Sequence, residues 1–425
     1  MPLPFVDRAS SALPVQLVLQ PRWKAWLKEQ TAARRAWLES SGLSGKAGDF
    51  SVFPGRDGKA AGAVLVLPAK PVLWDVGALA TCLPAGTWKL AETASLSPTD
   101  AAVAISLGSW RFERYKAKKG KAGPKIVWPQ GADRVRATAI VEAISLARDL
   151  ITTPSSDMGP ADLAAAAQAL AKQHKAKIVV IVGDELLKKN YPMVHAVGRA
   201  SARAPRLIDL TWGKESDPKV TLVGKGVCFD TGGLDLKPAD GMRLMKKDMG
   251  GAAHALALGR MIMGAKLPVR LSVLIPVVEN AISGDAMRPG DVLASRKGLS
   301  IEVGNMDAEG RLILADALTR ACELDPALTI DMATLTGAAR IALGPQLPPF
   351  FTDDDELAAQ IDSAAKAESD PLWRMPLWKP YADALDSDVA EIKNDPDGWA
   401  QAGSVTAALF LQKFAPTSAW VHLDI

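Results

Sequence analysis

The chain has 425 residues, of which 48% are hydrophobic and 23% are charged, and its 50 Lys and Arg against 47 Asp and Glu give a formal net charge of +3. This length suffices for two sizeable cores, so two domains are the default expectation. So small a net charge gives no support for nucleic-acid binding as the main role. Three widely separated cysteines, Cys82, Cys228 and Cys322, argue against a disulfide framework and against a cysteine-based metal motif.

The amino terminus carries early Pro, Asp and Arg residues instead of a basic start followed by an apolar run, and it does not match a secretion signal. No uninterrupted apolar stretch approaches the ~18 to 20 residues that a membrane helix needs. We therefore expect a cytoplasmic protein with no membrane partner.

Residues 1–132 predict a small N-terminal α/β domain with an assembly or regulatory role. Residues 23–40 have a helix-like pattern, and residues 62–68 (GAVLVLP) have a strand-like one. The basic, glycine-rich residues 114–125 indicate a solvated loop or a linker. We place the domain boundary near residue 132.

Residues 133–425 predict a larger α/β domain that begins with a linking helix. Residues 133–150 have a helical pattern, which prolines and glycine interrupt before a second helix near Asp162. Continuous apolar, β-rich runs then alternate with helical spans, at residues 177–183, 205–212, 219–224, 269–278 and 327–335. This pattern predicts a mostly parallel central sheet covered by helices, in which ligands bind beyond the carboxyl ends of the strands.

Polar residues are concentrated in residues 223–258, which start as a buried strand and end as a helix of small residues. Lys225 and Asp230 follow the strand, Lys237 precedes a proline, and Asp248 stands just before the helix. From charge and periodicity alone, helix caps, turns and exposed ion pairs explain these residues at least as well as a functional site does.

A second polar cluster follows the strand-like residues 300–304. If this cluster is extended, a period of two places Asp307, Glu309 and Arg311 on one face. Several carboxylates gathered at strand ends require a cation, because like charges in one cleft repel each other. Pairs of divalent metals are typical of hydrolases, and an oxygen-rich set suits Zn, Mn, Co or Mg.

Four ordered motifs, GKGVCFDTGG, LKP, KKDM and NMDAEGRL, resemble the signatures of the leucyl aminopeptidase family, also called cytosol aminopeptidases or peptidase family M17. The spacing agrees, because offsets of 5, 12, 23, 82, 84 and 86 residues from Lys225 reach the other six matched positions, Asp230, Lys237, Asp248, Asp307, Glu309 and Arg311. The resemblance covers residues 147–425. It is thinner in the first domain, where it rests on residues 83–88 and 107–116.

The resemblance implies a metal-dependent aminopeptidase that hydrolyses the N-terminal residue, Leu-like or broad, from peptides through a water activated by two divalent metal ions. Asp230 and Glu309 would bridge the two ions. Lys225 and Asp248 would complete the tighter site, and Asp307 the more exchangeable one. Lys is a rare ligand because its amine must lose its proton. Zn or Mn is expected, with Co or Mg as alternatives.

The same resemblance implies roles for residues that do not bind metal. Lys237 would stabilise the oxyanion, and Arg311 would hold a bicarbonate that shuttles protons. The backbone of Thr334 and Leu335 would help to hold substrate or anion.

Two further substrate-binding residues are expected beside these. Asn305 is counted among them, and Met245 would line the pocket for the first side chain, although core packing explains a methionine at that position equally well. The substrates would be peptides with a free N-terminus, and the assembly a homohexamer.

The sequence departs from the family pattern at Met306, which stands directly before Asp307 where relatives usually have a threonine. Its opposite parity predicts a side chain that points away from the metals. The four histidines lie outside the matched ligand positions and are expected to be structural or surface groups. A two-metal phosphatase is disfavoured by the lysine ligand and the lack of histidine ligands, and a DNA-binding role by the near-neutral charge.

Overall fold

A computed structural model describes residues 3–117, 120, 123–396 and 401–425. The chain divides into two compact units, Met1–Ser145 and Leu146–Ile425. The boundary that we placed near residue 132 lies just before a long helix, Arg134–Thr152, and the division between the units falls within that helix. Among the described residues, no helix is long and apolar enough to cross a membrane.

The first unit contains a six-stranded sheet. Its strands are β1 (Phe5–Val6), β2 (Leu13–Leu19), β3 (Phe50–Pro54), β4 (Ala60–Leu67), β5 (Thr87–Leu90) and β6 (Lys125–Val127). They are ordered β1-β6-β5-β2-β4-β3 and pair in parallel, except that β3 and β4 are antiparallel. The predicted strand at residues 62–68 is confirmed as β4. Part of the predicted loop at residues 114–125 lies outside the described residues, namely 118, 119, 121 and 122.

The helices of this unit are α1 (Trp23–Lys28), α2 (Ala32–Ser40), α3 (Leu79–Cys82), α4 (Pro98–Gly108) and the beginning of α5 (Arg134–Thr152), with 3-10 helices at Gln20–Arg22 and Leu73–Val76. The helix-like pattern at residues 23–40 corresponds to two helices, which residues 29–31 separate. The Thr31 hydroxyl accepts a hydrogen bond from the Arg34 amide and caps a new helix. Local capping thus outweighs the continuous helical pattern.

The second unit contains a nine-stranded sheet and a three-stranded sheet. The strands are β7 (Lys177–Val182), β8 (Arg206–Trp212), β9 (Lys219–Gly224), β10 (Gly226–Asp230), β11 (Arg270–Asn280), β12 (Val292–Ala294), β13 (Ser300–Glu302), β14 (Leu328–Ala333), β15 (Pro349–Phe351), β16 (Trp373–Arg374), β17 (Ile392–Lys393) and β18 (Ala419–Asp424). All five apolar runs predicted as strands are strands, with ends that agree within two residues.

The large sheet is ordered β16-β15-β18-β14-β9-β11-β8-β7, and β10 also pairs with β11. The central strands β18, β14, β9 and β11 are parallel, as is β10 to β11. Strand β8 is antiparallel to β11 and to β7, and β15 is antiparallel to β18. The prediction of a mostly parallel sheet is therefore confirmed, with antiparallel strands towards the edges. The small sheet is ordered β12-β13-β17.

The remaining helices are α6 (Pro160–His174), α7 (Glu185–Lys188), α8 (Pro192–Gly198), α9 (Ala239–Met242), α10 (Gly250–Gly264), α11 (Glu309–Glu323), α12 (Gly337–Leu343), α13 (Asp355–Ala367) and α14 (Gly403–Gln412), with 3-10 helices at Ser155–Asp157, Met245–Met249 and Lys379–Leu385. These helices cover both faces of the large sheet. Successive residues of β11 point to opposite faces and contact different helices. Leu274 belongs to the apolar cluster of α8, α11 and α14, whereas Val273 packs close to Gly259 of α10.

The carboxyl ends of the central strands meet at one edge of the sheet. In the strand pairing, Gly224 of β9 lies opposite Met332 of β14, and Ala333 lies opposite Asp424 of β18. Asp230 of β10 lies opposite Asn280 of β11. The segments that carry Lys225, residues 230–248 and residues 334–335 leave the large sheet at this edge, whereas residues 305–311 follow β13 of the small sheet.

Candidate active site

Lys225 stands alone between β9 and β10, with its side chain only 4% exposed. Its backbone amide donates to the Met332 carbonyl at 3.0 Å, and its carbonyl accepts from the Ala252 amide at 2.8 Å. The side chain then crosses the start of α11, where a Cβ on Gly310 would lie 2.5 Å from Cε and 2.8 Å from Nζ of Lys225. Only glycine at position 310 leaves room for this lysine.

Asp248 and Glu309 both lie at helix amino termini. Asp248 closes the segment that leads into α10, and Glu309 is the first residue of α11. The positive end of a helix dipole favours a carboxylate at such a position. The extended conformation that would place Asp307, Glu309 and Arg311 on one face is not adopted, because the helix has begun by Glu309.

The turn before α11 has local causes that a period of two does not capture. The Asp307 amide donates to Asn305 Oδ1 at 2.7 Å, and Asn394 Oδ1 accepts from the amides of Gly304 and Asn305. These side-chain acceptors replace the ladder bonds of a strand. Asp307 and Glu309 therefore converge through a turn and a helix start.

The two lysines tie the carboxylates together. Lys225 Nζ lies 2.7 Å from Asp248 Oδ2 and 3.1 Å from Glu309 Oε1. Lys237 Nζ lies 2.9 Å from Asp230 Oδ2 and also contacts Asp307 Oδ1.

Ligand oxygens of three of these carboxylates, those of Asp230, Asp307 and Glu309, lie within 4.8 Å of one another. Asp248 joins them through Lys225. The five residues predicted to bind metal therefore lie together in one cluster.

Negative charge exceeds positive charge in this cluster, since its four carboxylates are contacted by three lysine ammonium groups, of which Lys247 lies on the outside, 3.1 Å from Asp248. Burial and the neighbouring Asp230 raise the pKa of Glu309 to about 8 and that of Asp307 to about 6. These shifts are the response of crowded anions that lack sufficient counter-charge.

Lys225, Lys237 and Asp248 stay charged. Burial acts to lower the pKa of Lys225, but Asp248, Glu309 and Asp230 outweigh it and the net shift is upward. Lys237 behaves likewise, with burial opposed chiefly by Asp230. Burial acts to raise the pKa of Asp248, but Lys225 and Lys247 bring it below its usual value.

The residues present fit divalent cations. Asp248 Oδ2, Asp307 Oδ1 and Glu309 Oε1 are buried, and among the described residues each contacts only a lysine ammonium group. Carboxylate oxygens with unused lone pairs suit hard or borderline divalent ions. Binding at Lys225 requires its ammonium group to lose a proton, so metal binding and proton release are coupled there.

We expect the metal-free protein to lose thermal stability as the pH rises, and the metal-loaded protein to lose less. The folded-state pKa of Glu309 is about 8 against an ordinary 4.5, and that of Asp307 is about 6 against 3.8. Between these values the fold holds protons that the unfolded chain has released, so its stability is highest at the low end of the window and falls as pH rises. Divalent cations would supply the missing positive charge.

Scanning calorimetry with chelator and with Mn²⁺, from about pH 5 to about pH 8, tests this expectation. The difference between the two samples isolates the cluster, because Asp316, whose pKa burial raises to about 7, contributes equally to both. Glu309→Gln should reduce the pH dependence of the metal-free protein. Identical pH dependence with and without Mn²⁺ would contradict the assignment.

Arg311 lies within the first turn of α11 and is 7% exposed. Its guanidinium donates from Nη1 to the Asn394 carbonyl at 2.7 Å, while the buried Nε has no acceptor within the described part of the chain. Burial lowers its pKa. A buried guanidinium with an unused donor is suited to binding an anion.

Thr334 and Leu335 follow β14 and use their backbone groups within the protein. The Thr334 carbonyl accepts from Lys225 at 3.2 Å, and its hydroxyl donates to Asp248 Oδ1 at 2.8 Å. The Leu335 amide donates to Asp424 Oδ1 at 3.0 Å. Thr334 thus supports the two residues predicted to form the tighter metal site.

Met245 and Asn305, the other two predicted substrate-binding residues, lie close in sequence to Asp248 and Asp307. Met245 is half-buried and opens the 3-10 helix that carries Asp248. Asn305 is half-buried and accepts the Asp307 amide. Their contacts with substrate stay predictions.

Sequence reasoning missed three buried polar residues that support the site, Asn280, Asn394 and Asp424, which are 3%, 0% and 2% exposed. Asn394 binds the loop before α11, and Asp424 accepts the amides of Leu335 and Thr336. Asn280 and Asp424 end the strands β11 and β18. Asn280 stands two residues after the predicted strand at residues 269–278, and a polar residue at the carboxyl end of such a strand was a signal that could have found it.

Met306 is 2% exposed and belongs to the apolar cluster of α8, α11 and α14.

His422 is fully buried, with Nδ1 2.6 Å from Asp331 Oδ1. Its pKa is raised, because Asp331 outweighs the effect of burial. His254 is exposed, with Nδ1 2.7 Å from the Gly250 carbonyl.

A largely parallel α/β sheet with this cluster at its carboxyl edge defines a metal-dependent hydrolase. The model of the "Cytosol aminopeptidase family, catalytic domain" matches residues 145–425, and that of the "M17 aminopeptidase, N-terminal domain" matches residues 13–129. The chain belongs to the cytosol aminopeptidase family, peptidase family M17, and the predicted resemblance is confirmed.

Relatives support the assignment along most of the chain. A probable cytosol aminopeptidase of Syntrophotalea carbinolica is 41% identical over 336 residues, which are 76% of this chain and 67% of the relative. A probable cytosol aminopeptidase of Rhodococcus jostii is 37% identical over 417 residues, 91% of this chain and 81% of the relative. The protein is thus a metal-dependent aminopeptidase at the level of the family.

Solved structures agree in fold. The cytosol aminopeptidase of Coxiella burnetii is 46% identical, with a TM-score of 0.95 over 99% of this chain and 93% of that chain. The bottromycin maturation enzyme BotP in complex with Mn is 32% identical, with a TM-score of 0.85 over 98% of this chain and 92% of that chain. A structure similar to this one thus contains Mn.

Proposed function

We propose that the chain removes the N-terminal residue from peptides with a free N-terminus by means of two divalent cations, held by Lys225, Asp230, Asp248, Asp307 and Glu309. The observation that carries this proposal is the cluster of four carboxylates, in which three buried oxygens contact only lysine ammonium groups among the described residues. When bound, such cations polarise a carbonyl oxygen and lower the pKa of water. We propose Zn or Mn, and the Mn in BotP supports the latter.

The contacts support a division of the ligands between two sites. Asp230 and Glu309 each contact a different lysine, and their oxygens lie within 4.8 Å of each other and of Asp307, so they would be the bridging ligands. Lys225 and Asp248 are almost fully buried and would form the tighter site. The Asp307 side chain is 34% exposed and would belong to the more exchangeable one.

Lys237 would stabilise negative charge on the carbonyl oxygen of the bond that is cleaved. Its raised pKa keeps the amine protonated at neutral pH, and its side chain is only 15% exposed. A preorganised ammonium group in a site of low dielectric stabilises an oxyanion more than the same group in water. The charge of Lys237 would therefore stabilise the oxyanion in addition to its contacts with the carboxylates of Asp230 and Asp307.

Arg311 would hold a bicarbonate that accepts and returns a proton. The buried Nε without an acceptor supports an anion at this side chain. The anchoring of Nη1 by the Asn394 carbonyl fixes the plane of the guanidinium. Bicarbonate fits because its planar oxygens match the fork of an arginine.

The remaining elements of the proposal concern specificity and assembly. Met245, Asn305, Thr334 and Leu335 would contact the substrate, with a Leu-like or broad preference for the first residue. We also propose a homohexamer, which a sizing measurement in solution tests. A cytosolic location follows the names of the relatives.

Amino-acid release from matched peptides tests the proposal. Leucine-initiated peptides and leucinamide should be cleaved, whereas the same peptides with an acetylated amine should not. Activity should vanish in metal-stripped protein and return when Zn²⁺, Mn²⁺, Co²⁺ or Mg²⁺ is restored singly. Cleavage of the acetylated peptides at an equal rate would overturn the exopeptidase assignment.

A further inference from the structure

Asn280 ends β11 and contacts both carboxylates that we propose as bridges. Its side-chain nitrogen Nδ2 lies 2.9 Å from Asp230 Oδ1 and 3.5 Å from Glu309 Oε2, and it also donates to the Met306 carbonyl at 3.0 Å. The residue is 3% exposed. The amide group of Asn280 thus contacts both carboxylates, on the oxygens that do not face Lys225 or Lys237.

These contacts distinguish the two oxygens of each carboxylate. Asp230 Oδ1 accepts from Asn280 and from the Gly232 amide at 2.8 Å, whereas Oδ2 faces Lys237. Glu309 Oε2 faces Asn280, whereas Oε1 faces Lys225. Neutral N–H groups thus contact Asp230 Oδ1 and Glu309 Oε2. The other oxygen of each carboxylate, Asp230 Oδ2 and Glu309 Oε1, stays available to cations.

The position of Asn280 is itself fixed by the sheet. Its carbonyl accepts from the Thr231 amide at 3.1 Å and from the Thr231 hydroxyl at 2.8 Å. Asp230 and Asn280 are register partners in the parallel pair β10 and β11. The donor, Asn280, and the carboxylate that accepts from it, Asp230, therefore lie on two strands that pair with each other.

A neutral amide suits this position for an electrostatic reason. A lysine or arginine there would add positive charge and weaken the attraction of the carboxylates for cations. An aspartate would offer no donor and would repel its neighbours. Asparagine orients the carboxylates and leaves their charge intact.

From this geometry we infer that Asn280 is a positioning residue for the cation site, which orients Asp230 and Glu309 so that one oxygen of each faces the ions. The inference rests on the proposed function. Partners that orient metal ligands typically contribute 10- to 100-fold to metal affinity or activity.

The test compares Asn280→Leu, which keeps the size and removes the donors, with Glu279→Gln as a matched control. Glu279 precedes Asn280 on the same strand, and its carboxylate contacts Ser201 and Arg203, away from the cluster. Mn²⁺ affinity is measured by titration calorimetry on the full chain after metal stripping, well below its melting temperature. We expect an affinity loss of about 10- to 100-fold for Asn280→Leu, and less than about twofold for Glu279→Gln.

Asn280→Ser provides a second variant, because it is smaller and keeps one donor, and an intermediate loss of affinity is expected. An Mn²⁺ affinity within twofold of the parent chain in either folded Asn280 variant would overturn the inference. The outcome is separable from that of the proposed function. A parent chain that binds Mn²⁺ but cleaves no peptide contradicts the function alone, and a cleaving Asn280→Leu variant with full affinity contradicts the positioning role alone.

Discussion

Replacement of Lys237 by methionine is expected to lower kcat by about 10²- to 10³-fold, as does the removal of one oxyanion donor in other hydrolases. Metal content should stay at or above that of the parent chain, because the substitution removes an ammonium group that competes for Asp230 and Asp307. The two quantities are measured as kcat on leucinamide and as bound Mn by mass spectrometry. A large loss of turnover with metal retained is the signature of a group that acts on the substrate.

Lys379→Met is the control for this experiment. Lys379 forms an exposed ion pair with Asp353 at 2.9 Å, and its side chain is 70% exposed. Such a surface pair contributes little, so turnover and metal content should both stay near the parent values. If Lys237→Met retained full turnover, the oxyanion role of Lys237 would be wrong.

Replacement of Asp230 by asparagine is expected to abolish metal binding and turnover together. The amide keeps the size of the side chain and can still accept from the Gly232 amide and Asn280, but it removes the charge that we propose two cations share. We expect affinity for Mn²⁺ to fall by more than the roughly 100-fold upper range for an outer partner. Calorimetric titration measures the affinity, and circular dichroism confirms the fold.

Asp316→Asn is the matched control, since Asp316 is another fully buried carboxylate and lies on α11. Its two oxygens accept the amides of Met193, Val194 and Arg296, so an asparagine would turn an NH₂ group towards a backbone N–H. We expect a loss of about 1 to 3 kcal/mol in the free energy of unfolding with metal binding retained. Retention of full metal affinity by Asp230→Asn would refute the site assignment.

The strands of the central sheet were predictable because burial on both faces requires continuous apolar runs, and that requirement is local in sequence. Their order was not, since β9 pairs with β14 and β11 rather than with its neighbour β10. The antiparallel edge strands depend on how each connection crosses the sheet. No single segment contains that information.

The site shows the same division. The motifs and their spacing predicted the ligand residues through resemblance, without any geometry. Residues 307–311 do not form the extended segment that a period of two would require, because the side-chain amide of Asn394, more than 80 residues away in sequence, binds the turn before α11. Long-range hydrogen bonds of this kind leave no periodic trace.

The sequence by itself thus determined the family and the α/β class and predicted Lys225, Asp230, Asp248, Asp307 and Glu309 as metal ligands, because these follow from residue types and their spacing. Only the tertiary structure decided which oxygens face the lysines, that burial and crowding raise the pKa of Glu309, and that Asn280 lies behind the carboxylates. The reason is physical, since these properties depend on distances and burial between segments that meet only when the strand ends come together.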